Sequence, residues 1–317
     1  MTDVVITEFM DEAAVDTLRG RYDVRYDPHL VDDRDALLAL LQRARALIVR
    51  NRTRVDVSLL DAAPRLCAVG RLGVGLDNID VPACEDRSIA VLPATGANAV
   101  SVAEYVVAAL LILRRREVFH ATDRLLAGEW PRQDLVGHEL AGCRLALLGL
   151  GGIARLVADR VRALDVEVVA LDPFVAPDDA IWEHVDRADD LPGLLVDADA
   201  LSVHVPLTAD THHLLDADTL ALLPPHAVIV DSARGGVIDE AALCDALRSG
   251  RLGGAALDVF EHEPPDTTAL ARFSGVPNLV LTPHVAGVTV ESNRAVSAMI
   301  AERVGEVLDA TVGEEPT

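Results

Sequence analysis

The chain contains no lysine: all 28 of its lysine-or-arginine positions are arginine. That absence excludes Schiff-base enzymes, the phosphate-gripping lysine of a P-loop and dehydrogenases that work through a Tyr/Lys pair. Aromatic residues make up 3% of the sequence, so Leu, Val, Ala and Ile must do the packing. Four cysteines, Cys67, Cys84, Cys143 and Cys244, stand far apart with no CxxC pair, which reads as isolated buried thiols in a reducing cytoplasm. No apolar run is long enough to cross a bilayer, the longest, Val100 to Leu113, being interrupted by Glu104. The opening residues carry Asp3, Glu8, Asp11 and Glu12, unlike a signal peptide. No internal repeat, low-complexity linker or metal-ligand cluster stands out.

Positive charge is also outweighed. The formal net charge is -23, so a phosphate backbone would be repelled, and neither a nucleic-acid nor a membrane partner is expected. What remains is a chain of 317 residues, 50% hydrophobic, long enough for two domains with sizeable cores.

Short apolar runs alternate with helical stretches throughout. Val4 to Ile6, Ala46 to Val49, Ala68 to Gly70 and Ile89 to Leu92 read as strands buried on both faces, with Asp33 to Gln42 as a helix among them. A long helix over Ser101 to Arg116 ends in Arg114-Arg115-Arg116, where cations suit a helix C-terminus. A second strand series follows: Arg144 to Leu148, Glu167 to Leu171, Ala200 to Val203, Ala227 to Val230, Gly254 to Leu257 and Leu279 to Leu281. The pattern is that of doubly wound α/β sheets, closed by a helix over Glu291 to Leu308 and a frayed tail at Glu314-Glu315-Pro316.

Gly149-Leu150-Gly151-Gly152-Ile153-Ala154 follows a strand and opens a helix. Gly149 permits the tight turn, Gly151 clears the way for a pyrophosphate, and Ala154 takes the third small position, where helix meets strand. The helix N-terminus would then face the phosphates with its unpaired amides. Asp172 ends the next strand, at about the 20-residue spacing of a ribose-binding acid, and its charge favours NAD over NADP.

Three further segments lie downstream in fixed order: Ser232-Ala233-Arg234-Gly235-Gly236, His262-Glu263-Pro264 and Thr282-Pro283-His284. Arg234 and His284 each follow a strand, at the end where open α/β sheets bind ligands. A guanidinium grips a carboxylate with two hydrogen bonds and polarises the adjacent carbonyl. An imidazole can pass a proton to and from the same oxygen, and Glu263 could hold that ring and raise its pKa. His29, His120, His138, His184, His204, His212, His213 and His226 have no such placement and are expected to be exposed or locally satisfied.

Together these segments resemble the D-isomer-specific 2-hydroxyacid dehydrogenase family, over nearly the whole chain. The resemblance implies an NAD-binding Rossmann domain, residues 99–287, inserted into a discontinuous flavodoxin-like substrate domain, residues 1–98 plus 288–317, with the active site in the cleft. It implies catalysis by Arg234, Glu263 and His284. It places Ser232, Ala233, Arg234, Asp258, His284 and Gly287 on the nicotinamide side. Val69 to Asn78 is similar to the family's substrate loop, so the substrate carboxylate is expected at the amides of Leu72, Gly73, Val74 and Gly75. Asn98 to Glu104 is similar to its hinge helix, and Gly128-Glu129-Trp130 with Gly137 to its dimerisation arm, implying a homodimer.

Within the family, Arg50 and Arg71 sit where phosphoglycerate dehydrogenases place cations for a second anion. The segments Ile6 to Glu12, Arg50 to Arg54 and Pro93 to Gly96 are similar to bacterial sulfolactate dehydrogenases. Sulfonate and phosphate are both tetrahedral anions that arginine binds well, so either acid is open at this point. Val74 departs from the threonine of some phosphoglycerate enzymes. A glyoxylate or hydroxypyruvate reductase, with no second-anion site, is one alternative. A non-enzymatic NAD-sensing corepressor on the same fold is another, although a sensor needs the dinucleotide turn and not Glu263 with His284.

Overall fold

The computed structural model describes residues 2–115, 118, 119 and 121–311; Arg116, His120 and Glu314-Glu315-Pro316, named above, lie outside the described residues. The chain divides into two compact units, Met1–Asn98 with Val288–Thr317, and Ala99–Gly287.

The first unit opens β1 (Val4–Ile6), α1 (Glu12–Arg19), β2 (Val24–Tyr26), α2 (Arg34–Leu41), β3 (Ala46–Val49), α3 (Val57–Asp61), β4 (Ala68–Arg71), α4 (Val81–Glu85) and β5 (Ala90–Pro93). The second unit runs α5 (Ala99–Arg114), α6 (Thr122–Leu126), β6 (Arg144–Leu148), α7 (Gly152–Arg162), β7 (Glu167–Leu171), β8 (Asp186–Arg187), α8 (Leu191–Leu195) and β9 (Ala200–Val203). It continues with α9 (Ala217–Leu220), β10 (Val228–Asp231), α10 (Glu240–Arg248), β11 (Gly254–Leu257), α11 (Thr267–Ala271) and β12 (Leu279–Leu281); the chain then returns to the first unit as α12 (Val290–Ala310).

Both sheets are parallel. The first has the order β2-β1-β3-β4-β5, the flavodoxin-like order, and the second β12-β11-β10-β9-β6-β7-β8, a Rossmann order with one strand added. Their strands bury both faces by simple alternation. Val4, Ile6 and Ile48 pack towards α1 and α12, whereas Val5, Leu47 and Val49 pack towards α2, α3 and α4. In the second unit Leu145 and Leu147 face the core shared with α5 and α7, while Ala146 and Leu148 face the opposite layer.

Strand positions match the apolar runs to within a residue. Two edge strands, β2 and β8, carry no such run: Val24-Arg25-Tyr26 has an exposed arginine at its centre, and Asp186-Arg187 is charged and exposed throughout. Edge strands face solvent on one side and need less apolar character.

The acidic composition has a structural use. Asp11, Asp33, Asp56, Asp80, Asp190, Asp216, Asp239 and Asp266 each cap a helix N-terminus, their carboxylates accepting from an amide of the first turn. Each such cap contributes about 1 kcal/mol and sets where the helix begins. Asp33 therefore precedes the helix that the apolar pattern starts on it.

Candidate active site

The turn after β6 breaks the capping pattern. Gly151 is the N-cap of helix α7, and no side chain caps the first-turn amides among the described residues. Gly149 adopts φ 91°, a conformation open to glycine, and a Cβ there would lie 3.0 Å from the His204 carbonyl carbon. Beside Gly151 and Gly152 a Cβ would meet nothing within 4 Å. The chain leaves that space clear, and the uncapped amides of an 11-residue helix point into it. These features fit a dinucleotide pyrophosphate.

Asp172 closes the turn from the side. Its Oδ2 accepts from the Leu150 amide at 2.8 Å and its Oδ1 from the Phe174 amide at 2.9 Å. Both bonds orient the carboxylate and leave further lone pairs for ribose hydroxyls. Next to it, Arg155 is held by Asp179 through two hydrogen bonds of 2.9 and 2.7 Å. Bonding to Arg155 and to the Ile181 amide holds the Asp179 carboxyl down at about 2.

Arg234, Glu263 and His284 lie on three loops of the second unit. His284 Nδ1 is 2.6 Å from Glu263 Oε2, and the Phe260 amide donates to Glu263 Oε1 at 3.0 Å. Burial acts to raise the Glu263 carboxyl; bonding to His284, the charges of His284 and Arg234, and the Phe260 amide outweigh it and hold the group below its ordinary value. Arg234 is thus close enough for its charge to act on Glu263. Gly235 explains the proximity: a Cβ there would stand 1.9 Å from the Phe260 carbonyl oxygen, so only glycine lets the Arg234 loop seat on the Glu263 loop. Arg234 Nη1 also donates to the Ala233 carbonyl at 2.6 Å, which folds the side chain along its own loop.

His284 has φ 55°, a left-handed conformation uncommon outside glycine. Asp258, 1% exposed, is what holds it. Its Oδ1 accepts from Thr282 Oγ1 at 2.6 Å and the Val285 amide at 2.8 Å, and its Oδ2 from the Ala286 amide at 2.8 Å. The His284 amide donates to the Asp258 carbonyl at 2.8 Å. Asp258, placed by resemblance on the nicotinamide side, thus spends its carboxylate inside the fold on the loop that presents His284, with Gly287 just beyond it.

Tyr105 and Asp231 complete this layer, and the sequence motifs did not single out either. Tyr105 on α5 brings its hydroxyl 2.7 Å from Thr282 Oγ1. Asp231, 2% exposed at the end of β10, accepts from the Ala233 amide at 2.9 Å. Burial pushes its carboxyl up to about 7, with Asp258 adding to the shift and Arg234 and neighbouring amides opposing it. Ser232 Oγ is buried without a hydrogen-bond partner among the described residues. An orphaned hydroxyl at this point fits a ligand group. Three of the other described histidines have local roles: Ser202 bonds the part-buried His204, which desolvation pulls down to about 4, Asp199 bonds His226 and Glu261 bonds His213.

In the first unit, two of the four amides expected at a substrate carboxylate are already used. The Leu72 amide donates to Val49 and that of Gly73 to Arg71, both at 2.8 Å, whereas those of Val74 and Gly75 find no acceptor among the described residues. The Arg71 guanidinium folds over Gly73, where a Cβ would meet its Nη1 at 1.4 Å. Arg50 is half-buried, with Nη2 bonded to Asn293 Oδ1 at 3.1 Å. Among the described residues no group of three or more His, Cys, Asp or Glu could hold a metal ion, and no helix is long and apolar enough to cross a membrane.

Comparison with known proteins gives these geometries a context. Residues 108–286 match the family described as D-isomer specific 2-hydroxyacid dehydrogenase, NAD binding domain. The chain is 55% identical over 308 residues to an (S)-sulfolactate dehydrogenase of Chromohalobacter salexigens, covering 97% of this chain and 99% of that one. It is 36% identical over 314 residues to a D-3-phosphoglycerate dehydrogenase of Methanocaldococcus jannaschii, covering 99% of this chain but 59% of that longer protein. Among solved structures, the TT0316 protein from Thermus thermophilus superposes with a TM-score of 0.86 at 30% identity, covering 99% of this chain and 98% of that one.

Proposed function

Since the chain belongs to the D-isomer-specific 2-hydroxyacid dehydrogenase family, we propose that its substrate is a small 2-hydroxy acid with a second anionic group, sulfolactate ahead of 3-phosphoglycerate. The observation that carries the catalytic part is the 2.6 Å pairing of His284 Nδ1 with Glu263. The preference for a sulfonate rests on the 55% identity over 308 residues to a sulfolactate dehydrogenase.

With Nδ1–H donated to Glu263, His284 is held in the tautomer whose Nε2 accepts a proton. In the oxidative direction Nε2 takes the proton from the substrate hydroxyl; in reduction it returns it to the carbonyl oxygen. Glu263 fixes the ring plane and stabilises the imidazolium formed on the way. Arg234 binds the substrate carboxylate and draws electron density from the adjacent carbonyl. Gly149, Gly151, Gly152, Ile153 and Asp172 would hold NAD, with Ser232 and Ala233 on the nicotinamide side, and the bound cofactor would supply the hydride-accepting carbon. The amides of Val74 and Gly75 add carboxylate contacts, and Arg50, with Arg71, takes the second anion.

Leu126 and Trp130 are 82% and 81% exposed, and Val136 65%, a run of large apolar side chains suited to a second copy of the chain. We assign them to a homodimer contact. Trp130→Glu should give a monomer by light scattering; an unchanged mass would remove the segment from the contact.

The test of function is a substrate panel with NAD read by nicotinamide absorbance. Sulfolactate should give the highest kcat/KM, and Arg50→Ala should lower it ~10-fold or more while sparing glycerate. Equal rates with glycerate in the wild type would favour a glyoxylate or hydroxypyruvate reductase. No turnover with sulfolactate, 3-phosphoglycerate, glycerate or lactate would contradict the enzymatic reading.

A further inference from the structure

The loop after β3 is shaped by one buried side chain, Glu8, which is 5% exposed. Its Oε1 accepts the amides of Arg50 at 2.8 Å and Thr53 at 3.0 Å, and its Oε2 that of Arg52 at 3.1 Å. Backbone amides that converge in this way form a nest that takes an anion, and here the chain supplies the anion itself. Asn78 fastens the other side of the loop, its Nδ2 donating to the carbonyls of Arg50 at 3.2 Å and Thr53 at 2.7 Å. Burial draws the Arg50 guanidinium below its ordinary value, and the charge of Glu8 opposes that shift.

The placement is specific. In the order β2-β1-β3-β4-β5 the chain reverses direction across the sheet between β1 and β3. Glu8 follows β1 and Arg50 follows β3, so both flank the point where open α/β sheets bind ligands.

We propose that Glu8 determines which second anion this enzyme accepts: it positions Arg50, and its fixed negative charge favours a monoanionic sulfonate over a dianionic phosphate. The proposal rests on Arg50 binding the second anion of the substrate. A sulfonate carries one negative charge near neutral pH, whereas a phosphate monoester carries ≈ -1.5 to -2. Arg50 and Arg71, offset in charge by the Glu8 carboxylate, leave a local balance that matches a monoanion, so the additional charge of the phosphate finds no counter-charge of its own, and the partly buried setting screens it weakly.

The full-length enzyme is assayed with NAD and either sulfolactate or 3-phosphoglycerate. Glu8→Gln should shift the ratio of kcat/KM towards phosphoglycerate on the order of 10-fold, through KM. Glu8→Asp, which keeps the charge, should retain the wild-type ratio even if a shortened reach lowers both values. Should Glu8→Gln not fold, the wild type serves: 3-sulfopropionate should inhibit more tightly than 3-phosphonopropionate on the order of 10-fold. An unchanged ratio in Glu8→Gln, or equal inhibition, overturns the proposal while leaving Arg50 in place. If Arg50→Ala leaves KM for both acids unchanged, the reading of Arg50 fails and the proposal falls with it.

Discussion

Glu8 and Asp258 do the same structural work in different units. Each follows one strand and builds the loop at the end of the neighbouring one: Glu8 after β1 takes three amides of the Arg50 loop, Asp258 after β11 takes two amides and a hydroxyl of the His284 loop. Their surroundings differ. Glu8 lies close enough to the Arg50 guanidinium for its charge to act on it. Asp258 has a second buried acid, Asp231, for a neighbour, and the Tyr105 hydroxyl reaches it through Thr282. A lone carboxylate beside a guanidinium suits a site that selects charge. A second buried acid beside the one that holds the His284 loop suits a site where protons move, because burial, with the charge of Asp258 adding to it, raises the affinity of Asp231 for a proton.

The comparison breaks most visibly at His284. His284→Ala should lower kcat by ~10²–10⁴ with sulfolactate and glycerate alike, since the proton step is common to both. An unchanged kcat would remove the imidazole from the chemistry. Asp258→Ala comes next. Freeing the His284 loop should misplace the ring by enough to lower kcat ~10²-fold, with KM for sulfolactate changed far less. A KM effect as large as the kcat effect would make Asp258 a binding residue instead.

Asp231 gives a smaller, pH-dependent contrast. Its folded pKa of about 7 lies above the unfolded value for aspartate, so its contribution to stability is fully present below the unfolded value and is lost as pH rises through about 7. Asp231→Asn should therefore stabilise the protein at pH 8 by roughly 1–3 kcal/mol, with little effect near pH 4. A thermal-melting difference independent of pH would contradict this assignment. Glu263 has the opposite sign and the smallest effect. Its carboxyl is held below the ordinary value, so its contribution is present above the unfolded value and is lost as pH falls through the lower folded one. Being partly exposed, the pair should be worth roughly 1 kcal/mol or less, seen as a Tm difference between wild type and Glu263→Gln that vanishes in acid.

Much of the second unit could be read directly from sequence because its functional residues sit in local motifs. Gly149 to Ala154, Ser232 to Gly236 and Thr282 to His284 each combine a strand end with residue types that the chemistry requires. The carboxylates that shape the loops could not be read in the same way. Glu8 and Arg50 are 42 residues apart in the chain, and an acid near an N-terminus looks like any other solvated one until the parallel pairing of β1 with β3 brings the two together. Asp258 was visible as a motif position, but its donors lie on the next strand's loop, and only the register of β11 with β12 identifies them. The amides of Leu72 and Gly73 show the converse: their motif was clear, and their engagement by Val49 and Arg71 was not.

The proposed division of labour, with chemistry in the second unit and anion selection in the first, is tested most directly by isotope transfer from sulfolactate deuterated at the hydroxyl-bearing carbon. Wild type and Arg50→Ala should both deliver the label to the nicotinamide ring of NADH, the variant at a higher KM, while His284→Ala should transfer it at a rate lower by ~10²–10⁴. Deuterium appearing in solvent, or label transfer abolished by Arg50→Ala at saturating substrate, would contradict the account.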